Sequence, residues 1–205
     1  MNPQLTPVQA RVIATLVEKS ISTPEYYPLT TNSLVNACNQ KSQRAPQMQL
    51  TEGEVGGALR DFEAMDWVKR DDSARATKWR QQFQHQMLLK REVQAVLVTL
   101  MLRGPQTVAE LRGNAAYIGG PDDAAGVQAA LDDLLDRADP LGIELPRQPG
   151  QAATRWAHLL CGEPDVPATV SSPAAPVSRA ERSDLEARVA ALEARLAALE
   201  AQLGV

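Results

Sequence analysis

Between residues 69 and 80 the chain sets Lys69, Arg70, Arg75, Lys78 and Arg80 against Asp71 and Asp72. Cations at that density suit phosphate, because each one that neutralises a phosphate releases a condensed counterion. Lys41 and Arg44 stand just ahead of a helix-like stretch and Arg60 lies within it. These eight residues are the expected contacts to double-stranded DNA, and they would give affinity without sequence information. The stretch itself argues against base reading. Glu52 and Glu54 open it, Arg60 is its one basic residue, and Gly56-Gly57 weaken the helix and remove side chains.

The residues that could do covalent or metal chemistry are scattered. His85 and His158 fall in different halves without HxxxH, HExxH or Cys/His spacing, so a metal centre is not expected. Cys38 and Cys161 have no CxxC partner and read as small apolar residues. Asp71-Asp72 and Asp132-Asp133 are sequence neighbours, and neighbours do not converge on a substrate as acid and base must. Gly119-Gly120-Pro121 reads as a loop entering a helix. The expectation is a non-enzymatic protein with no cofactor. Tyr26, Tyr27 and Pro28 form an aromatic and proline group in a long loop. Such a group can anchor an unidentified protein partner or pack the loop onto its own domain.

The elements that must position these residues repeat along the chain. Thr77-Lys78-Trp79 is echoed 77 positions later by Thr154-Arg155-Trp156, Val55-x-x-Ala58-Leu59-x-x-Phe62 by Val127-x-x-Ala130-Leu131-x-x-Leu134, and Val12-Ile13-x-x-Leu16 by Val96-Leu97-x-x-Leu100. A unit of this size can bury its own core, so the repeat reads as a duplicated domain. Each copy opens with an amphipathic helix, Val8, Val12, Ile13, Leu16 and Val17 in the first and Val93, Val96, Leu97, Leu100 and Met101 in the second. Second helices follow Thr31 and the capping box Thr107-x-x-Glu110, and the first copy's third helix opens with the capping box Thr51-x-x-Glu54. Trp67 to Arg70, the turn at Asp71-Asp72-Ser73 and Thr77 to Trp79 then form a hairpin, a layout repeated over Ile143 to Trp156. The three tryptophans read as hairpin anchors in the core.

Three helices closed by a hairpin describe a winged helix. The expected fold is mainly α with small β-hairpin wings (α+β): two tandem winged-helix (helix-turn-helix) domains, residues 1–86 and 87–162. A Pro/Ala/Ser-rich linker over 163–178 and a coiled-coil helix over 179–205 follow. In that tail Leu185, Val189, Leu192, Leu196, Leu199 and Leu203 recur at steps of four and three behind the capping box Ser183-x-x-Glu186. With Leu185 at d, Arg188 and Arg195 at g face Glu193 and Glu200 at e in a parallel pair. A parallel homodimer follows, with the leucines supplying affinity and the charges direction; leucine at both a and d leaves dimer against trimer open.

The net charge of −4 divides as +1 over residues 1–86, −2 over 87–162 and −3 over 163–205. No global field draws the protein to a polyanion, so nucleic-acid binding must come from a local patch. In the second copy Asp122, Asp123, Asp132, Asp133 and Asp136 would repel phosphate, and this copy reads as a module for protein contact. The longest nearly apolar run, Val93 to Leu102, is half a membrane span, so the expected setting is cytoplasmic, without a membrane partner.

The stretch Thr23-Pro24-Glu25-Tyr26-Tyr27-Pro28-Leu29, continued by Asn32 to Ser42, resembles the YceH-like family of bacterial proteins, as do Leu102 to Thr107, Glu110-Leu111-Arg112 and the leucine-rich tail. The resemblance implies a tandem winged-helix fold in a bacterial cytoplasm and no particular activity. After Ser42 the family's acidic-Pro-Val-Met segment is replaced by Ala45-Pro46-Gln47-Met48, while Lys41 and Arg44 match. The reading that results is a binding protein, with DNA held by the first domain ahead of a protein-only scaffold role.

Overall fold

The computed structural model describes residues 4–72, 76–147 and 150–164. Helix α1 (Pro7–Ser22) starts at a reciprocal capping box between Thr6 and Gln9, with Pro7 at its first position, where a missing N–H is harmless. Strand β1 (Leu29–Thr30), α2 (Thr31–Cys38), α3 (Glu52–Ala64), β2 (Val68–Asp71) and β3 (Lys78–Gln81) complete the first repeat. A short α4 (Phe83–Gln86) leads to α5 (Arg91–Arg103), α6 (Val108–Ala115), α7 (Ala124–Leu135), β4 (Gly142–Leu145) and β5 (Arg155–His158). The protein is thus a mixed α/β fold, rich in helix, with small antiparallel sheets. The linker beyond Pro164 and the heptad residues Leu185 to Leu203 lie outside the described residues.

Capping boxes at Thr51/Glu54 and Thr107/Glu110 open α3 and α6, as the spacing predicts. The cap of α2 is Thr30, one residue ahead of the expected Thr31. Each hairpin also gains a partner on its second strand. Leu29 pairs with Trp79 and Gln106 with Trp156, so the 77-residue offset of the tryptophans holds for their partners and for the caps Thr30 and Thr107.

Helices α1 and α5 depart from the amphipathic expectation. Ala10 to Glu18 and Val93 to Leu102 are buried without a break. The two helices pack against each other while each holds its own repeat on its remaining sides, and a helix buried all round needs no solvated face. One hydrophobic cluster therefore runs through both repeats, which lie in a single compact unit ending at Asp165.

The polar side of α1 is covered by the loop between α2 and α3. Arg11 donates from Nη1 to the Cys38 carbonyl at 3.3 Å and from Nη2 to the Pro46 carbonyl at 2.8 Å. Asn39 clamps the loop's far end through reciprocal bonds with Leu50 at 2.9 and 2.7 Å. Arg44 pairs with Glu18, which also accepts from the Tyr117 hydroxyl at 2.6 Å. Burial pushes the Glu18 carboxyl up, but the Arg44 bonds and charge, with Tyr117, outweigh it and hold the group below the ordinary carboxylate range.

Candidate nucleic-acid interface

The site is built outward from α3. Val55, Ala58, Leu59 and Phe62 bury one side of this helix, and Phe62 stacks on Trp67 at 5.5 Å between ring centres. Trp67 meets Phe83 edge-on at 5.0 Å, so the entry of β2 and the exit of β3 are fixed by one aromatic cluster. Trp67, Trp79 and Trp156 are all buried, as hairpin anchors should be. Trp79 donates its indole N–H to Thr31 Oγ1 at 3.2 Å. The Tyr27 hydroxyl accepts from the Gln81 backbone N–H, and burial pushes its pKa up to about 12.

Register then divides the cations between two surfaces. Lys69 lies opposite Arg80, Arg70 opposite Trp79, and Asp71 opposite Lys78. Side chains alternate across a strand, so Lys69, Lys78 and Arg80 share the outward face with Asp71, which pairs with Arg80 at 3.3 Å. Arg70 points to the helix side, over the Trp79 ring at 5.3 Å and against Glu63 at 3.0 Å. There it joins Thr31, Glu52, Gly56, Arg60 and Trp79 around a groove of about 520 Å³. Glu54 is engaged differently: bonds from Thr51 hold its carboxyl below the usual range, as a cap rather than a free charge in the groove.

The other expected residues fall as follows. Lys41 is exposed on the loop over α1. Lys41, Arg60, Lys69 and Lys78 have no ion-pair partner among the described residues. Arg75 lies outside the described residues. Arg44 must be withdrawn from the phosphate set: its side chain is 0% exposed, and its donors go to Glu18, the Ala37 and Gln43 carbonyls and Gln40. Tyr26 is 73% exposed, whereas Tyr27 and Pro28 are half-buried. Tyr27 is thus committed to its own sheet, and Tyr26 alone keeps the form of a partner anchor. Cys38 is buried as expected, but Cys161 is half-buried.

Sequence reasoning missed Glu18, which pairs with Arg44, and Tyr117, whose hydroxyl bond to Glu18 joins the repeats. A carboxylate followed by Lys19 on an apparently amphipathic helix carried no signal of burial. In the second repeat, Asp123 caps α7 by accepting from the Gly126 N–H at 2.7 Å, and Asp133 pairs with Arg137 at 2.8 Å. Arg155 holds Glu110 through two bonds at 3.0 and 3.1 Å. Glu110 sits below its ordinary range, first through the Thr107 backbone bond and then through Arg155.

Residues 5–151 match the family model described as "Protein of unknown function, DUF480". The chain belongs to this family. The UPF0502 protein of Acidovorax sp. (strain JS42) is 47% identical over 181 residues, 86% of this chain and 80% of that relative. That of Delftia acidovorans is 45% identical over 194 residues, 90% and 86% of the two chains, and UPF0502 protein Bcep18194_B0081 of Burkholderia lata is 40% identical over 184 residues, 90% and 78%. Membership agrees with the YceH-like resemblance. The DUF480 match takes in the groove, the basic hairpin and the loop that carries Arg44. Among the described residues of this family member, no helix is long and apolar enough to cross a membrane.

Proposed function

We propose that this protein binds double-stranded DNA without catalysing a reaction, using the first repeat as a winged helix in which α3 meets the duplex and the β2–β3 hairpin is the wing. The observation that carries this reading is the outward face of the hairpin, where Lys69, Lys78 and Arg80 stand against Asp71, beside a groove edged by Arg60 and Arg70. Such a face contacts phosphates and works from a local patch despite the net negative charge. The second repeat, with its acidic α7, serves protein contact. Parallel self-association through the leucine-rich tail, in the cytoplasm, would pair two basic wings, and bivalency turns two weak contacts into a useful one.

Fluorescence anisotropy of a mixed-sequence duplex, titrated with the full chain at several salt concentrations, tests the reading. Micromolar binding that weakens steeply with salt is expected. The triple variant Lys69→Glu, Arg70→Glu, Lys78→Glu should bind at least about a hundredfold more weakly, since it removes three cations and adds three anions. Binding that survives this reversal removes the wing assignment. An absence of binding at low salt moves the function to protein contact.

A further inference from the structure

Where the two repeats meet, a cavity of about 310 Å³ is walled by the loop between α2 and α3, the end of α5, α6 and β5. The loop is fixed there by the Ala45 N–H, which donates to the Leu102 carbonyl at 2.9 Å. Small-molecule sites span about 300–1,000 Å³, so this cavity suits a small ligand rather than a polymer. Its charged lining is mostly cationic: Arg44, Arg103 and Arg155 stand against one carboxylate, Glu110.

Two of the three guanidiniums are compensated. Arg155 holds Glu110 through bonds at 3.0 and 3.1 Å, and Arg44 pairs with Glu18. Arg103 is half-buried, and among the described residues no hydrogen-bond or ion-pair partner takes its guanidinium. Its place in the last turn of α5 suits the helix dipole, but that supplies only about half a charge. Arg44 keeps an orphan of its own: the side chain is 0% exposed, and its Nε–H is buried with no acceptor among the described residues. Charged donors are costly to bury unmatched. Of the two lining amides, Gln106 is spent, giving its N–H groups to the Thr99 and Gly104 carbonyls at 3.2 Å each and accepting from Asn114 at 2.7 Å. Asn114 is thereby oriented and has one N–H left to give.

We infer that this cavity binds a small anion through a carboxylate or phosphate group, with Arg103 supplying the charge and Asn114 and Arg44 further N–H donors. A guanidinium offers parallel N–H groups to both kinds of oxyanion. The site uses none of the cations of the basic hairpin, so it and the DNA-binding reading can fail separately.

Isothermal titration calorimetry and thermal unfolding of the full chain test this, with sodium phosphate and sodium succinate each compared with sodium chloride at equal ionic strength. At least one of the two should bind with a Kd of about 0.1–1 mM, the scale of two charge-assisted hydrogen bonds, and should raise Tm where chloride does not. Binding of phosphate alone assigns a phosphorylated ligand, and binding of succinate alone an organic acid. Arg103→Gln keeps the stem and should weaken binding at least about tenfold, with Tm in chloride changed by under about 2 °C. Ala45→Asp, at an exposed position of the lining, brings a carboxylate of the chain itself into the cavity. It should abolish binding and raise Tm in chloride, which also decides the matter if Arg103→Gln fails to fold. Neither anion binding, shifts in Tm that chloride matches, or binding that Ala45→Asp leaves unchanged overturns the inference.

Discussion

The two hairpins have the same pairing and opposite surfaces. In the first, Lys69 faces Arg80, Asp71 faces Lys78, and Arg70 lies opposite Trp79. At the matching positions of the second, Ile143 faces Ala157, Leu145 faces Arg155, and Glu144 lies opposite Trp156. Lys69 and Arg80 are exposed, while Leu145 and Ala157 are buried. What repeats is the frame that needs burial, the tryptophan and its cross-strand partner. What does not repeat is the face that frame turns outward. The chemistry of one copy therefore does not transfer to the other, and the phosphate-binding role proposed for the first hairpin rests on its residues rather than on its fold.

The connections between second and third helices differ in the same way, and there the largest effect is expected. The second repeat closes this connection by backbone proximity, with Gly120 against Ala115. The first closes it with buried charge, Arg44 on Glu18. Arg44→Met leaves the buried Glu18 with only Lys19, at 3.7 Å, as a cation, and should cost about 3 kcal/mol in urea unfolding. Adding Glu18→Gln should recover part of that loss, because a neutral amide is cheaper to bury than a lone carboxylate. A loss under about 1 kcal/mol for Arg44→Met, the range of an exposed pair, would mean that the first connection is no more dependent on charge than the second.

That contrast also marks what could be read from residue order. Helix positions followed from spacing and capping boxes, and the hairpins from their tryptophans, because local pattern and burial agree at those places. The burial of α1 all round did not follow. Arg11, Thr15 and Glu18 look like a solvated stripe, yet all three are buried, with Arg11 bonded to the Pro46 carbonyl and Glu18 to Arg44 and Tyr117. Lys41 and Arg44 are equivalent as letters, yet one is exposed and the other is buried with its Nη donors on Glu18 and the Ala37 carbonyl. The glycines of α3 were legible as a weakness of the helix. That no neighbour among the described residues calls for them depends on contacts that only the fold supplies.

Exchanging residues at one register position sharpens the comparison of the hairpins. Arg80 is half-exposed beside Asp71, so Arg80→Ala should cost under about 1 kcal/mol of stability, as an exposed pair does. Its counterpart Ala157 is 4% exposed. Ala157→Arg combines overpacking with an unpaired charge in a buried place and should cost about 3 kcal/mol. Thermal or urea unfolding of the two variants in parallel measures the difference. Similar losses at both positions would mean that the two outward faces are equally covered.

The smallest effect concerns the ends of the hairpins, where Val68 faces Gln81 and Gly142 faces His158. Gln81 does not titrate. Burial pushes His158 down to about 4, and its Nδ1 has no hydrogen-bond partner. Above the unfolded value of about 6.5 both states hold a neutral ring, and the stability contribution is complete. As pH falls below that value, the unfolded chain takes up a proton that the folded chain refuses, so stability drops. At pH 5 this loss should be about 2 kcal/mol, and it levels off once the folded ring also protonates near its own lower pKa. His158→Gln copies the first hairpin and should remove this part of the slope, read as the change in urea midpoint between pH 7 and pH 5. An equal change in wild type and variant would mean that His158 is as accessible to a proton as an exposed imidazole, and that the second hairpin is no drier at its end than the first.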